Sequence, residues 1–564
     1  MLDPSSSPLA GSASTTTRAG LLPGSLTLQA AVELTAQQID PTFGDSYAVS
    51  IDGNDHAEIT VGSPAALNRL RTVIASSGQA SWDGVRTTTD SAQIATRSVH
   101  ECFYGERWAP EDRLAVLRFA AAVGATTYAY GPSADRRTGG LWRDPYEGVE
   151  RDQLAQFARA ARDLGVEPIW RVSPAAPLEP ELAIRMTEAA ELAALVAKVH
   201  HVMDLGFERI LIAFDDLTAG LDAESAARFV GSGHPLAAAH ASVIRLLGEA
   251  VGHHRLIACP LHYWGADPSP YRREFGQGFP SEVPVIWTGP AVISDTITAA
   301  QARAVADELG HPLWLWDNYP VNDWDMDGIA ALPLHAQPGL DNLVIPRRLP
   351  LAAATGRDPE LADVVLAMGC NLAMDPWTGL PAALTLLDFA WSGARYRPES
   401  SWHACVELLG VDPEALAVLA DAAGPGSGVP SGMPSRFASA CARIFVAQDP
   451  LSPEVIRELE AVVQHHIEAL GRLRSRPSRL TRELQPWLVE LGRQCQFAKL
   501  AIATLRATTV EKAALAAELG GALGRRSLVS VGSGMGRALA EYARGLVAGG
   551  VPEVDVPNAT SFGH

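Results

Sequence analysis

Cysteine and positive charge are scarce in this chain of 564 residues. The six cysteines are widely spaced: Cys102, Cys259, Cys370, Cys405, Cys441 and Cys495. None of them forms a CxxC pair, which argues against a disulfide framework or a structural zinc site, so we expect free thiols. The net charge of -19 at pH 7 argues against nucleic acids or anionic membranes as partners, because their phosphates would be repelled.

Long apolar runs and cofactor motifs are also missing. No run is long enough to span a bilayer, and the opening residues lack the basic start and apolar core of a signal peptide. We therefore expect a cytoplasmic protein without a membrane partner. Residues 532–536 lack the GxGxxG spacing of a dinucleotide-binding site. The run that begins at Asp323 resembles the start of a calcium loop, but Leu334 stands where such a loop needs an acid. With no HExxH motif either, the sequence predicts neither a metal nor a cofactor.

Hydrophobic residues make up 47% of the chain, enough for several domains. We predict a disordered segment at 1–26, a small α/β domain at 27–92, a barrel at 97–395, a helical bundle at 396–548 and a tail at 549–564. The bundle is expected to include helices at 453–472, 479–506 and 510–523, with a flexible loop at 424–434.

Eight short apolar runs alternate with helical patterns after residue 97. The predicted strands are 97–105, 126–131, 167–173, 209–215, 255–259, 283–288, 313–317 and 369–374. This alternation is typical of a TIM-like (β/α)8 barrel, in which functional groups lie at the carboxyl ends of the strands.

Two adjacent acids, Asp215 and Asp216, end the fourth predicted strand. Neighbouring residues on a strand point to opposite sides, so both acids can enter one pocket only if the backbone bends there. A solvated turn or a helix cap remains an alternative interpretation of this dipeptide.

Aromatic and amide side chains follow other predicted strands. They are Tyr263, Trp287, Trp316, Asn318 and Asn371. Flat apolar surfaces together with amides and carboxylates are typical of a sugar pocket. Each of these residues also has a purely structural interpretation, since the tryptophans could fill core and Asn318 could cap a turn.

Six segments occur in a shared order: ECFYGERWAPEDR (101–113), YAYGP (128–132), WRDPY (142–146), FDDL (214–217), WTGP (287–290) and WDNYPVND (316–323). In this order they resemble the β-N-acetylglucosaminidase family, which includes O-GlcNAcase and bacterial enzymes often labelled hyaluronidases. The resemblance implies a retaining glycoside hydrolase that cleaves a β-linked 2-acetamido sugar, with the acetamido oxygen of the substrate as the nucleophile.

The resemblance also implies residue roles. Asp215 would accept a hydrogen bond from the acetamido N–H, and Asp216 would act as the acid and then the base. The implied sugar-binding residues are Tyr263 at the acetamido oxygen, Asn318 at the reacting centre, Asp323 at the outer hydroxyls, and Asn371.

Two positions depart from the family pattern. Cys102 replaces a glycine, and Ser133 replaces a substrate-binding lysine, for which Arg136 or Arg137 is a candidate substitute. The expected substrate is a small glycoside or a glycosylated protein. The alternatives are an enzyme that processes a modified amino sugar in biosynthesis and a non-catalytic glycan-binding protein. The sequence leaves homo-oligomerisation open.

Overall fold

The structure of the chain is a computed structural model. It describes residues 17–20, 39–51, 56–77, 86–217, 220–323, 349–423, 436–446, 452–507, 509–523 and 539–544. The predicted loop at 424–434, the glycine-rich segment at 532–536 and the predicted tail at 549–564 lie outside these residues, as does the chain from 324 to 348.

Four strands near the amino terminus form an antiparallel sheet. They are β1 Thr17–Gly20, β2 Ser46–Ile51, β3 His56–Val61 and β4 Arg86–Ser91, in the order β1-β3-β2-β4. Helix α1, Pro64–Ser77, packs against β2 and β3. The prediction of disorder through residue 26 is wrong for β1, because the backbone groups of this segment pair with β3 whatever its side-chain composition.

The next eight strands form a closed parallel barrel. They are β5 Thr96–Glu101, β6 Thr127–Tyr130, β7 Glu167–Val172, β8 Arg209–Ala213, β9 Leu256–Cys259, β10 Val285–Trp287, β11 Leu313–Asp317 and β12 Val365–Asn371. Closure follows because β12 pairs with β5 as well as with β11. The predicted TIM-like barrel is therefore confirmed.

The last barrel strand begins four residues earlier than predicted. Val365, Ala367 and Met368 already pair with β11, and the apolar run 365–368 continues directly into Gly369. An added Cβ at Gly369 would lie 2.5 Å from a ring carbon of His100 on β5, so glycine permits the close approach of these two strands. From the sequence alone, the strand is predicted to begin at this glycine.

Helices surround the barrel between its strands. They are α2 Pro110–Ala122, α3 Gly148–Asp163, α4 Ala189–Asp204, α5 Ala223–Phe229, α6 Pro235–Val251, α7 Pro270–Gln277, α8 Ala299–Leu309 and α9 Leu380–Ser392. Helix α3 is representative, because it buries Leu154, Phe157, Ala158 and Ala161, which share one face at helical spacing. The strands are thus covered on their outer side, which explains their continuous apolar sequences.

The carboxyl-terminal region is helical, as predicted. Its helices are α10 Pro398–Leu408, α11 Pro413–Ala423, α12 Arg436–Val446, α13 Pro453–Ser475, α14 Arg479–Glu483, α15 Gln485–Arg506 and α16 Thr509–Leu523. Helix α13 contacts α11, α12 and α15 and lies at the centre of a second apolar core. Within the described ranges, no helix is both long enough and apolar enough to cross a membrane.

Trp391 at the end of α9 joins the amino-terminal sheet to the barrel. Its fully buried ring stacks with Tyr47 of β2 at a centroid distance of 6.5 Å and lies 4.9 Å from the guanidinium of Arg97 on β5. Its Nε1–H donates to Asp90 of β4 at 2.8 Å. One side chain therefore combines apolar burial, a cation–π contact and a hydrogen bond across the two units.

We predict that Trp391→Ala lowers the free energy of unfolding by about 3–5 kcal/mol, because it leaves a large cavity and removes one hydrogen-bond donor to Asp90. Urea unfolding followed by circular dichroism measures the change. Trp264→Ala is the control, since that ring is 47% exposed and should change the value by less than about 0.5 kcal/mol. Equal effects of the two substitutions would contradict the role of Trp391.

Candidate active site

The carboxyl ends of the barrel strands surround a cavity of about 250 Å³. It is slightly smaller than the roughly 300–1,000 Å³ typical of sites for drug-sized ligands, and so suits a compact ligand. Nine of the ten predicted site residues line it: Cys102, Ser133, Asp215, Asp216, Tyr263, Trp316, Asn318, Asp323 and Asn371. The barrel thus brings together residues that are up to 269 positions apart in sequence, counted from Cys102 to Asn371.

Trp287 is the one predicted site residue that does not line the cavity. Its neighbours Ile286 and Thr288 do, and alternate residues of a strand point to opposite sides. Trp287 therefore lies fully buried in the core outside the barrel, with its Nε1–H donating to the Gly265 carbonyl at 3.0 Å. The prediction that it contacts substrate is replaced by a structural role.

The backbone bends where β8 ends. Asp216 has a φ of 58°, which lies in the left-handed region that aspartate tolerates better than most residues. This bend follows directly after Asp215 and allows both carboxylates to line the same cavity. The backbone bend that both acids need in order to share one pocket is therefore present.

The Asp216 carboxylate is held by two phenols. Tyr104 donates to its Oδ2 and Tyr263 donates to its Oδ1, each at 2.8 Å. Burial, followed by the negative charge of Asp215, raises the pKa of Asp216 to about 6, although both tyrosine hydrogen bonds oppose the shift. Asp216 can therefore hold or release a proton near neutral pH.

The Asp215 carboxylate is held by a cation instead. Nη2 of Arg171, from β7, lies 2.9 Å from both of its oxygens. Burial disfavours the charged guanidinium, but the nearby Asp215 outweighs this and keeps the pKa of Arg171 above its ordinary value. The two acids thus have different partners although they are adjacent in sequence.

A network of amides and one further acid forms the opposite wall. Asn318 accepts from Trp316 Nε1 at 2.9 Å and from Asn371 Nδ2 at 3.1 Å. Asp323 Oδ2 accepts from the backbone N–H of Tyr104 at 2.6 Å. Oδ1 of Asp323 and Oδ1 of Asn371 are buried without a hydrogen-bond donor among the described residues. Two unpaired acceptors in one cavity fit a ligand that carries hydroxyl donors.

The two positions that depart from the family pattern both line the cavity. Cys102 is buried there, and Ser133 Oγ accepts from the Gly105 N–H at 3.3 Å. Of the two arginines considered as substitutes for the missing lysine, Arg136 lines the cavity but pairs with Glu179. Arg137 pairs with Glu150.

Tyr104 and Arg171 contact the acids but were not predicted as site residues. Tyr104 lies within the segment 101–113, and its contact with Asp216 depends on how the loop after β5 folds over the barrel. Arg171 lies inside an apolar strand, where a lone arginine suggests a strand edge more readily than a cavity wall. The charge of Arg171 within the mainly apolar run EPIWRV is the sequence feature that could have indicated a functional position.

Metal coordination has no evident basis in the described residues. No three histidine, cysteine, aspartate or glutamate side chains there form a cluster that could hold a metal ion. The cavity is lined by carboxylates, phenols, amides and the guanidinium of Arg171.

The sequence model of one protein family, described as beta-N-acetylglucosaminidase, matches residues 97–421. Among curated proteins, the rat Protein O-GlcNAcase (Rattus norvegicus) is 28% identical over 273 residues, which cover 47% of this chain and 28% of that protein. The mouse Protein O-GlcNAcase (Mus musculus) is 28% identical over 255 residues, which cover 44% of this chain and 26% of that protein. The matched region is therefore little more than a quarter of these relatives.

A solved structure supports the fold. A mutant of the Thermobaculum terrenum O-GlcNAc hydrolase superposes with a TM-score of 0.70 at 24% sequence identity. The superposition covers 81% of this chain and 96% of that one.

The burial of Asp323 generates a stability prediction. Burial raises its pKa to about 7, so between pH 4 and pH 7 the unfolded chain gains more from ionising this acid than the folded protein does. Wild-type stability should fall across that window relative to Asp323→Asn, by more than about 1 kcal/mol, and the difference should level off above pH 7.

Urea unfolding at pH 4.5 and pH 7.5 measures this difference. The exposed Asp267 supplies the matched control, since Asp267→Asn should show no comparable change between the two pH values. A pH-independent difference between wild type and Asp323→Asn would contradict the proposed cause.

Proposed function

Because the chain belongs to the β-N-acetylglucosaminidase family, we propose that it is a glycoside hydrolase that removes β-linked N-acetylglucosamine from its substrates. The observation that carries this proposal is the pair of adjacent carboxylates with unlike partners, Asp215 beside a guanidinium and Asp216 beside two phenols. Such a pair offers one carboxylate held by a cation and one exchangeable proton, which are the two requirements of the reaction.

The remaining walls suit a sugar. Trp316 offers an apolar surface to a ring, and Asn318 and Asn371 offer amide groups. The unpaired buried oxygens of Asp323 and Asn371 would accept hydrogen bonds from sugar hydroxyls. A site built to receive hydroxyl donors discriminates against ligands that lack them, because its acceptors would then stay unpaired.

We propose substrate-assisted catalysis in two steps. In the first, Asp215 accepts a hydrogen bond from the acetamido N–H, and the acetamido oxygen attacks the anomeric carbon. The glycosidic C–O bond breaks while Asp216 transfers its proton to the departing oxygen, which leaves a bicyclic oxazolinium ion whose N–H is still hydrogen-bonded to Asp215. The pKa of about 6 supports this use of Asp216, since a substantial fraction of the acid is protonated just below neutral pH.

In the second step Asp216 acts as a base. It takes a proton from a water molecule, whose oxygen attacks the anomeric carbon and opens the oxazolinium ring. The acetamido group is restored, the sugar leaves with its anomeric configuration retained, and Asp216 is again protonated. The Tyr263 hydroxyl, already within 2.8 Å of Asp216, is proposed to donate to the acetamido oxygen when substrate is bound.

Asp215 is poorly suited to act as a covalent nucleophile. Both of its oxygens lie 2.9 Å from Arg171 Nη2, so attack on carbon would require the loss of a charge-assisted contact. Stabilising the developing positive charge of the oxazolinium ring does not require that loss, because the carboxylate keeps its contact with Arg171.

The substrate is proposed to be a small glycoside or a glycosylated protein, as for the O-GlcNAcases that this chain resembles. The region 97–395 would be the catalytic domain, flanked by an amino-terminal α/β domain and a helical bundle at 396–548. We also propose a cytoplasmic location, which the six free, buried cysteines support because thiols persist in reducing compartments.

The acid role of Asp216 predicts a dependence on the leaving group. Asp216→Asn should lower kcat/KM at least about 100-fold for alkyl N-acetylglucosaminides and far less for dinitrophenyl glycosides, which depart without a proton. Steady-state kinetics on both substrates measure the contrast, with Asp267→Asn as the control. Equal losses of kcat/KM on the two substrates would contradict the assignment of Asp216 as the acid.

Substrate assistance predicts tight binding of an intermediate mimic. A thiazoline analogue of the bicyclic intermediate should bind at least about 100-fold more tightly than N-acetylglucosamine, and Asp215→Asn should reduce this preference. Isothermal titration calorimetry measures both affinities. Detection by mass spectrometry of a glycosyl ester on Asp215 or Asp216 would show a different mechanism.

A further inference from the structure

Arg171 lies within the cavity although its strand is otherwise apolar. Its neighbours Trp170 and Val172 are fully buried in the core outside the barrel, whereas Arg171 faces the cavity, with 11% of its side chain exposed. Strand alternation therefore directs a single charged residue of β7 toward the candidate catalytic acids.

The neighbouring strand provides space for this side chain. Gly131 follows β6, and an added Cβ there would lie 2.5 Å from Cβ of Arg171 and 3.1 Å from its Cγ. No real Cβ tolerates the shorter of these distances, so glycine is required for the arginine stem to pass. The guanidinium then reaches Asp215, with Nη2 at 2.9 Å from both carboxylate oxygens.

We propose that Arg171 is a positioning residue, which keeps Asp215 charged and oriented and thereby reserves the transferable proton of the pair for Asp216. The ion pair is independent of catalysis, whereas its consequence for the reaction rests on the proposed function. Without the guanidinium, two buried carboxylates of similar environment would compete for one proton, and the acid would be divided between them.

The other groups that face the pair do not provide this charge. Burial raises the pKa values of Tyr104, Tyr263, Cys102 and Cys259, so these four groups are neutral near pH 7. Asp323 is a further acid, and its pKa of about 7 leaves it partly charged there, which makes the need for a cation greater.

Two other arginines lie nearby but are already paired. Arg136 lines the cavity and pairs with Glu179. Glu101, which lies next to Cys102 in the chain, is neutralised by Arg113 at 2.6 Å. Among the described residues that line the cavity, Arg171 is thus the cation in contact with the catalytic pair.

The direction of the effect follows from electrostatics. Arg171 opposes the upward shift of the Asp216 pKa, so its removal should raise that pKa further. The alkaline limb of the pH profile of kcat/KM reports the loss of the essential proton from the free enzyme. Removing Arg171 should therefore move this limb to higher pH, while poorer placement of Asp215 lowers the rate itself.

The test compares Arg171→Met, Arg171→Lys and Arg357→Met. Arg357 is a buried arginine that pairs with Asp317 at 2.7 Å, so its removal controls for the loss of a buried ion pair elsewhere in the barrel. We expect Arg171→Met to move the alkaline limb upward by about one pH unit and to lower kcat/KM roughly tenfold to hundredfold. Arg171→Lys should restore most of the limb position, and Arg357→Met should leave it unmoved.

A second measurement does not depend on activity. In protein labelled with 13C at aspartate carboxyls, the Asp216 signal is identified by its absence in Asp216→Asn, and its titration midpoint is compared in each variant. In Arg171→Met the Asp216 signal should lose its proton at a higher pH, in a step now shared with the Asp215 signal because the two acids compete, and Arg171→Lys should return this step toward the wild-type value. Should Arg171→Met fail to fold, Gly131→Ala, which displaces the arginine stem, should produce the same rise.

The possible results separate the two proposals. A midpoint and an alkaline limb that stay unchanged when Arg171 is removed or displaced would overturn the positioning role, even in an active hydrolase. A protein that hydrolyses no N-acetylglucosaminide but shows the Asp216 shift would contradict the proposed function and support the ion-pair inference.

Discussion

Two adjacent carboxylates lie in one largely buried cavity, and their mutual repulsion is the constraint to which the surrounding residues respond. Two like charges a few ångströms apart in a medium of reduced dielectric strongly disfavour the doubly ionised state. The structure resolves this by giving the acids unlike environments, with Arg171 beside Asp215 and the phenols of Tyr104 and Tyr263 beside Asp216. The asymmetry between the acids therefore originates in strand β7 and in the loops after β5 and β9, and not in the Asp-Asp dipeptide itself.

The same cavity contains features that oppose folding, and the rest of the barrel must offset their free-energy cost. Asp216 has a left-handed backbone, and Asp323 and Asn371 each bury an oxygen without a donor among the described residues. Strain and unpaired polar groups of this kind each oppose folding by roughly 1–3 kcal/mol. The closed barrel and its continuous outer core supply the compensating burial, which is why such a site can persist on this scaffold.

Much of the fold could be predicted from sequence because its signals are local. Apolar runs alternating with helical patterns identified all eight barrel strands, and the errors were confined to ends such as the start of β12 at Val365. The assignment of Trp287 to the site failed for a different reason. Which face of a strand points inward depends on register, and β10 pairs Ile286 with Trp314, whose side chain lies inside the barrel. Arg171 was not predicted as a site residue because its side chain has room only where Gly131 follows the neighbouring strand β6. Sequence spacing does not connect these two residues.

The distribution of the cavity residues around the barrel separates two kinds of position. Cys102, Ser133 and Arg171 come from the consecutive strands β5, β6 and β7 or the loops that follow them, and Arg171 contacts Asp215. The remaining predicted residues, Tyr263, Trp316, Asn318, Asp323 and Asn371, belong to β9, β11 and β12 or follow them. Both departures from the family pattern thus fall in the sector that also supplies Arg171, the cation in contact with the acid proposed to hold the acetamido group. This sector also holds the proposed proton donor, because Tyr104, which follows β5, donates its hydroxyl to Asp216 and its N–H to Asp323.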